Sequence, residues 1–109
     1  MLHFLTMNDD SRIASILLPL ALDQPYSYLV PAGMELEAGD YVKAPLGPRQ
    51  VEGVVWAMGN SPPKGTTLRK VTERFDLPAM PAVHRKFIDW VAAYYLSPPG
   101  MVLRSAMRA

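Results

Sequence analysis

The sequence predicts an α+β fold that is mainly β: a small, bent, barrel-like sheet of about five strands, with one amphipathic helix and a short C-terminal helical turn packed on it. Eleven prolines divide the 109 residues into short pieces, which favours strands and turns over long helices. Short β-rich runs separated by turn signals occupy residues 12–76. Near Pro81 the apolar spacing changes to that of a helix.

Prolines and glycines set the limits of the predicted strands. The first strand stops at Pro19, and the second lies between Pro25 and Pro31. Glycine accepts the positive φ of tight connections, so the Gly39 region predicts a turn before the third strand. The five predicted strands cover residues 12–18, 26–30, 41–44, 51–58 and 68–74.

Two connections and one irregularity complete the β region. Residues 45–49 form a predicted loop, and residues 59–67 are rich in glycine, proline and small polar residues, so an exposed and mobile loop is expected there. Gly53 lies inside the fourth strand. A glycine at such a position indicates a bulge or a sharp bend, as small barrels have at their corners.

A helix is predicted from about Pro81 to the Ser97-Pro98-Pro99-Gly100 stretch. Five apolar side chains fall on one of its faces: Val83, Phe87, Trp90, Val91 and Tyr94. An apolar stripe of this kind usually packs on the sheet, so Phe87, Trp90, Val91 and Tyr94 are expected in the core. Residues 101–109 predict only a short helical turn. His84 is expected on the opposite, exposed face.

The composition indicates one small folded domain, with 50% hydrophobic and 19% charged residues. We divide it into a disordered leader (1–11), a β-rich region (12–76) and a helical region (77–109). The absence of cysteine is compatible with the cytoplasm. The most apolar stretch, residues 13–22, is shorter than the roughly 20 residues of a spanning helix, so no membrane association is expected.

Charge is unevenly distributed along the chain. Residues 1–42 contain six acidic residues and one basic residue, whereas residues 43–74 contain six basic and two acidic residues. A protein that coats DNA would be more basic overall than a net charge of +1. If the chain binds nucleic acid, it should therefore do so at a local site with few phosphate contacts.

The sequence contains no pattern for catalysis. It lacks the GxxxxGK[ST] loop that cradles nucleotide triphosphates, and no serine has a histidine at any recognisable catalytic spacing. His3 and His84 are too far apart in sequence to suggest a pair of metal ligands. We therefore expect a non-catalytic chain with no cofactor of its own.

Several short motifs occur in order along most of the chain. They are Leu-Pro-Leu at 18–20, Tyr-Ser-Tyr-Leu-Val-Pro at 26–31, Ala-Gly-Asp-Tyr-Val-Lys-Ala-Pro-Leu-Gly at 38–47, Glu-Gly-Val-Val at 52–55 and Trp-Val-Ala-Ala-Tyr-Tyr-Leu-Ser-Pro-Pro-Gly-Met-Val-Leu-Arg-Ser-Ala at 90–106. Each motif alone is weak. Together, and at these spacings, they make the chain resemble the N-terminal 3′-end DNA-binding domain of the primosomal replication-restart helicases of the PriA family.

This resemblance implies sequence-independent binding of the 3′ end of a DNA strand at stalled or branched forks, which would position the helicase for primosome assembly. The implied partners are DNA with a 3′ terminus, forked DNA, the rest of the PriA chain in cis and other primosome proteins. Helicase lobes, ATP and zinc would belong to other domains of the parent protein. The implied pocket residues are Tyr26 as aromatic wall, Ser27 at the terminal hydroxyl, Gly47 as the close backbone approach, and Arg69 or Lys70 as the cation.

Alternatives remain open from the residues alone. Tyr28 is expected in the core, whereas Tyr26 fits a core position or a pocket wall, and Gly47 fits a turn or a ligand contact. Strand register decides whether Arg69 or Lys70 faces a pocket. A serine replaces the aspartate of some family members at position 27, which puts 3′-hydroxyl discrimination in doubt. The alternative function is a small-barrel interaction module that docks a peptide or a partner domain.

Overall fold

Five strands and two helices follow one another in the computed structural model, which describes residues 12–22, 24–59, 67–95 and 97–108. The predicted leader lies outside these residues, as does most of the predicted loop at 59–67. The elements are β1 (Ile13–Leu17), β2 (Tyr26–Leu29), β3 (Tyr41–Leu46), β4 (Arg49–Met58), β5 (Glu73–Arg74), α1 (Ala82–Tyr95) and α2 (Pro99–Arg108).

The strands form one antiparallel sheet in the order β2-β1-β4-β3-β5. Residues 69–75 close it. The Leu29 amide donates to the Arg69 carbonyl at 2.9 Å and the Val71 amide donates back to the Leu29 carbonyl at 3.0 Å, while the Thr72 amide donates to the Lys43 carbonyl at 2.8 Å. Because this segment bonds to β2 on one side and to β3 on the other, the sheet curls into a small barrel, as the sequence predicts.

The interior of the barrel is filled by alternate side chains of the strands, since successive residues of a strand point to opposite faces. These side chains form one apolar cluster: Ala14, Ile16, Leu18, Tyr28, Val30, Leu36, Val42, Ala44, Val51, Val55 and Val71. Burial of this cluster is the main source of stability that the β region has. Tyr28 is among its members, as expected.

A second cluster covers the outer face of the sheet. Leu17 and Val54 point outwards and pack against Met80, against Ile88 of α1 and against Leu103 of α2. The two helices thus cover one side of the barrel. Neither is long and apolar enough to cross a lipid bilayer within the part of the chain that the structure describes.

The face of α1 that packs on the sheet differs from the predicted one. Phe87, Trp90 and Tyr94 are 61%, 59% and 68% exposed, whereas Ile88 and Ala92 are buried. The prediction that the aromatic stripe forms core is wrong for these three rings. The helix has a second and narrower apolar face, and its smaller side chains allow a closer approach to the sheet.

A polar contact accompanies this rotation of α1. The Trp56 indole nitrogen of β4 donates to both carboxylate oxygens of Asp89 at 3.1 Å. The exposed rings stack along the helix instead, with centroids 6.2 Å apart for Phe87 and Trp90 and 5.2 Å apart for Trp90 and Tyr94. Periodicity alone could not distinguish the two apolar faces.

Three boundaries also differ from the sequence prediction. The loop at 45–49 is a tight hairpin, because β3 continues to Leu46 and β4 begins at Arg49. The last strand is reduced to Glu73–Arg74 and a single bridge at Lys70, since residues 69–75 change partner from β2 to β3. The C-terminal turn is a ten-residue helix that starts at Pro99, where a proline costs no intrahelical hydrogen bond.

Position 53 requires a glycine because the neighbouring strand β1 passes too close for a side chain, and not because of the bulge expected there. A Cβ atom at this position would lie 2.8 Å from the Leu17 carbonyl oxygen and 2.9 Å from the Ile16 side chain of the neighbouring strand. The register shift occurs further along β4, where Ser15 pairs with Ala57 and Ile16 with Val55.

Candidate nucleic-acid interface

A pocket of about 420 Å³ opens at one end of the barrel. Three segments form its walls: residues 24–28 at the start of β2, residues 45–47 at the tip of the β3–β4 hairpin, and residues 67–69 ahead of β5. The mouth of a small barrel is a frequent place for a ligand, because side chains no longer fill the interior there.

Four of the five residues that the sequence singles out line this pocket. They are Tyr26, Ser27, Gly47 and Arg69. Lys70 is exposed and does not line it. Neighbouring residues of an extended segment point to opposite sides, so the register that turns Arg69 towards the pocket turns Lys70 away. The ring of Tyr26 is 40% exposed and is therefore free to contact a ligand.

Tyr28 forms the floor of the pocket. Its side chain is only 3% exposed, and its hydroxyl donates a hydrogen bond of 2.8 Å to the Pro45 carbonyl. Burial raises the pKa of the Tyr28 hydroxyl above its ordinary value of 10.0; the neighbouring Tyr26 adds to this rise, and the positive charge of Arg69 opposes it. The hydroxyl therefore stays protonated and remains a donor at neutral pH.

Gly47 and Arg69 are joined directly. The backbone of Gly47 has a φ of 59°, the left-handed value that the first residue of a two-residue hairpin turn needs. The Arg69 guanidinium donates to the Gly47 carbonyl through Nη1 at 2.7 Å. This bond holds the guanidinium at the hairpin tip and leaves its other donors available.

The pocket combines one positive charge with apolar walls. Arg69 is the one charged residue among the described residues that line it, and Pro25, Leu46 and Leu68 add apolar wall. Such a site suits a flat apolar group that carries negative charge nearby, as a nucleotide does. Within the described ranges no group of three His, Cys, Asp or Glu side chains could hold a metal ion.

Sequence reasoning missed several lining residues. Gln24, Thr67 and Leu68 complete the walls, and Tyr28 serves both the core and the pocket floor. The position of Tyr28 could have been inferred from strand alternation, since it lies two residues after Tyr26 and therefore on the same face of β2. The contribution of residues 67–68 depends on barrel closure, for which the sequence carries no local signal.

Comparison with known proteins gives a consistent result. Residues 15–108 match the PriA family described as "3′DNA-binding domain (3′BD)". Over 94 residues the chain is 35% identical to the replication restart protein PriA of Rickettsia conorii, 33% identical to that of Rickettsia felis and 32% identical to that of Rickettsia typhi. Each alignment covers 85% of this chain and 14% of the relative, so the chain spans about a seventh of the length of these relatives.

Proposed function

We propose, from the premise that this chain belongs to the family of PriA 3′ DNA-binding domains, that the mouth of its barrel holds the 3′ end of a DNA strand. Family membership makes the chain a DNA-binding domain. The observation that supports 3′-end binding is the pocket itself, in which Tyr26, Ser27, Gly47 and Arg69 meet.

Each lining group has a role that a terminal nucleotide requires. The exposed ring of Tyr26 offers a stacking surface, and every base has a π face, so binding through this ring does not depend on sequence. The Arg69 guanidinium supplies positive charge for a phosphate. Gly47 has nothing within 4 Å of a built Cβ position, so the sugar and phosphate can approach its backbone. The Ser27 hydroxyl can both donate to and accept from a terminal hydroxyl.

The buried part of the pocket lining supports a strand end over the middle of a strand. Tyr28 and Pro45 both line the pocket and are joined by a buried hydrogen bond. A terminal nucleotide that lodges against them needs room for the rest of the strand on one side only, whereas a nucleotide in the middle of a strand needs room on both sides.

The wider role follows from the relatives. Because the chain matches 14% of the PriA relatives, we assign it the non-catalytic task of positioning forked DNA during replication restart. Unwinding, ATP binding and a zinc region are assigned to the remaining length of such a protein, together with contacts to other primosome proteins. The chain itself would contribute the DNA contact.

Competition binding tests the proposal. A linear single strand with a 5′ label is bound by the protein, and fluorescence anisotropy follows its displacement by unlabelled competitors. The competitors are a linear strand and a circular strand of the same length and sequence. We expect the linear strand to compete at least about tenfold better, since about 1.4 kcal/mol of extra contact corresponds to this ratio. Equal competition by the circular strand would contradict 3′-end capture and leave only general DNA binding.

A further inference from the structure

Arg49 follows the pocket-lining Gly47 by two residues in the β3–β4 hairpin, although it is not one of the residues that line the pocket. It is the first residue of β4 and pairs with Leu46, the last residue of β3. Residues directly opposite each other in an antiparallel pair project from the same face. Leu46 lines the pocket, so the Arg49 side chain extends on the pocket side of the hairpin.

The surroundings of Arg49 on this face are apolar. Its neighbours there are Leu46, Ala44 and Val51, the last two of which belong to the barrel interior. The nearest carboxylate along β4, Glu52, pairs with Lys43 on the opposite face of the hairpin. Within β3 and β4, therefore, no carboxylate shares this face with Arg49.

The ion pairs among the described residues involve other cations. Lys43 lies 3.9 Å from Glu73, and Arg74 lies 3.4 Å from Asp40. Arg69 is bonded to the Gly47 carbonyl. Arg49 is exposed and takes part in none of these contacts. An arginine stays charged at every physiological pH, and its planar guanidinium suits a phosphate group.

We infer that Arg49 binds the phosphate that follows the terminal nucleotide, at the point where the strand leaves the pocket. This inference rests on the proposed function, because it takes the pocket as the place of the strand end. Arg69 lies inside the pocket and Arg49 at the hairpin rim, so the two arginines contact successive parts of one strand. Arg49 would raise affinity without reading the terminus.

The dependence of binding on salt isolates this contact. Each phosphate that a protein neutralises on a single strand contributes a slope of about −0.7 to the plot of log K against log salt concentration. We expect Arg49→Gln to make the slope shallower by about 0.7. It should also weaken binding of a 5′-labelled linear strand about tenfold or more at low salt, as loss of a charged hydrogen bond implies. The preference for linear over circular competitor should remain.

Two further variants serve as controls. Arg49→Lys keeps the charge and should keep the slope of the unmodified protein, which separates loss of charge from a folding defect at the hairpin. Arg104→Gln removes an exposed arginine from α2, which packs on the outer face of the sheet, and should change neither slope nor affinity.

The outcomes distinguish this inference from the proposed function. If the unmodified protein prefers linear DNA but Arg49→Gln has an unchanged slope, the Arg49 contact is wrong and the end pocket stands. If Arg49→Gln loses the preference for linear DNA, Arg49 reads the terminus and the assignment to the next phosphate is overturned. If the unmodified protein has no preference for linear DNA, both proposals fall.

Discussion

Tyr28 and Pro45 connect two strands that are not neighbours in the sheet. The Tyr28 hydroxyl of β2 donates a 2.8 Å hydrogen bond to the Pro45 carbonyl of β3, although β1 and β4 lie between these strands in the sheet order. The bond therefore spans the interior of the barrel. Both residues also line the candidate site, and Tyr28 is a member of the core, so the same hydrogen bond contributes to the core and to the pocket.

Tyr28→Phe should destabilise the domain by about 1 kcal/mol. The substitution keeps the ring that fills the core, but it removes the donor to a buried carbonyl. Urea unfolding of the two proteins, monitored by circular dichroism, measures the difference. A variant as stable as the unmodified protein would mean that water replaces the hydroxyl at the Pro45 carbonyl.

The same pair should respond to alkaline pH. The pKa of Tyr28 is raised above 10.0 in the folded state, so its stabilising effect is fully present below pH 10 and is lost as the pH rises through the folded-state pKa. The stability difference between the unmodified protein and Tyr28→Phe should therefore shrink as the pH rises above 10. A difference that stays constant above pH 10 would contradict this prediction.

Tyr26→Ala should weaken DNA binding about 5- to 150-fold with little change in stability. Base–aromatic stacking contributes about 1–3 kcal/mol, and the Tyr26 ring is exposed enough to provide it. Anisotropy with a short linear strand measures the loss. Tyr95→Ala is the matched control, since Tyr95 is an exposed tyrosine on α1. Equal losses of affinity in the two variants would mean that Tyr26 makes no specific contact with DNA.

Arg69→Gln should reduce affinity much more than Lys70→Gln. Both substitutions remove one positive charge from adjacent residues, but only Arg69 lines the pocket and bonds to Gly47. We expect a loss of about tenfold or more for Arg69→Gln, because it removes a charged contact to the strand. The loss for Lys70→Gln should be less than about threefold, because this charge lies outside the pocket and is screened by salt. The reverse order would mean that the strand follows the other side of this segment.

Ser27→Ala should lower the preference for a 3′ hydroxyl over a 3′ phosphate. The serine hydroxyl can exchange hydrogen bonds with a terminal hydroxyl, and a neutral contact of this kind contributes about 1 kcal/mol. The ratio of the two dissociation constants should therefore fall about fivefold. An unchanged ratio would assign end discrimination to backbone groups of the pocket.

Ile88→Ala should destabilise the domain far more than Phe87→Ala. Ile88 is buried between the helices and the outer face of the sheet, where removal of a large side chain costs about 2–5 kcal/mol. Phe87 is 61% exposed, so its loss should cost less than about 1 kcal/mol. Thermal unfolding of the two variants compares the costs. A larger effect for Phe87→Ala would restore the predicted aromatic face as the core.

The sequence alone determined the main course of the chain and three of the pocket residues. Prolines and glycines have strong local backbone preferences, so the limits of β1, β2 and the start of α1 were predictable to within one or two residues. The resemblance to a family then placed Tyr26, Ser27, Gly47 and either Arg69 or Lys70 in one site. Of these, the structure brings Tyr26, Ser27, Gly47 and Arg69 together.

Only the tertiary structure decided which surfaces meet. Closure of the barrel by residues 69–75 depends on hydrogen bonds between segments that are far apart in sequence, and it selects Arg69 rather than Lys70 for the pocket. Likewise, α1 has two apolar faces, and packing against Leu17, Val54 and Leu103 buries the face of Ile88. The spacing of apolar residues along a strand or helix indicates which of its faces can be buried. Which face is buried depends on packing against the rest of the chain.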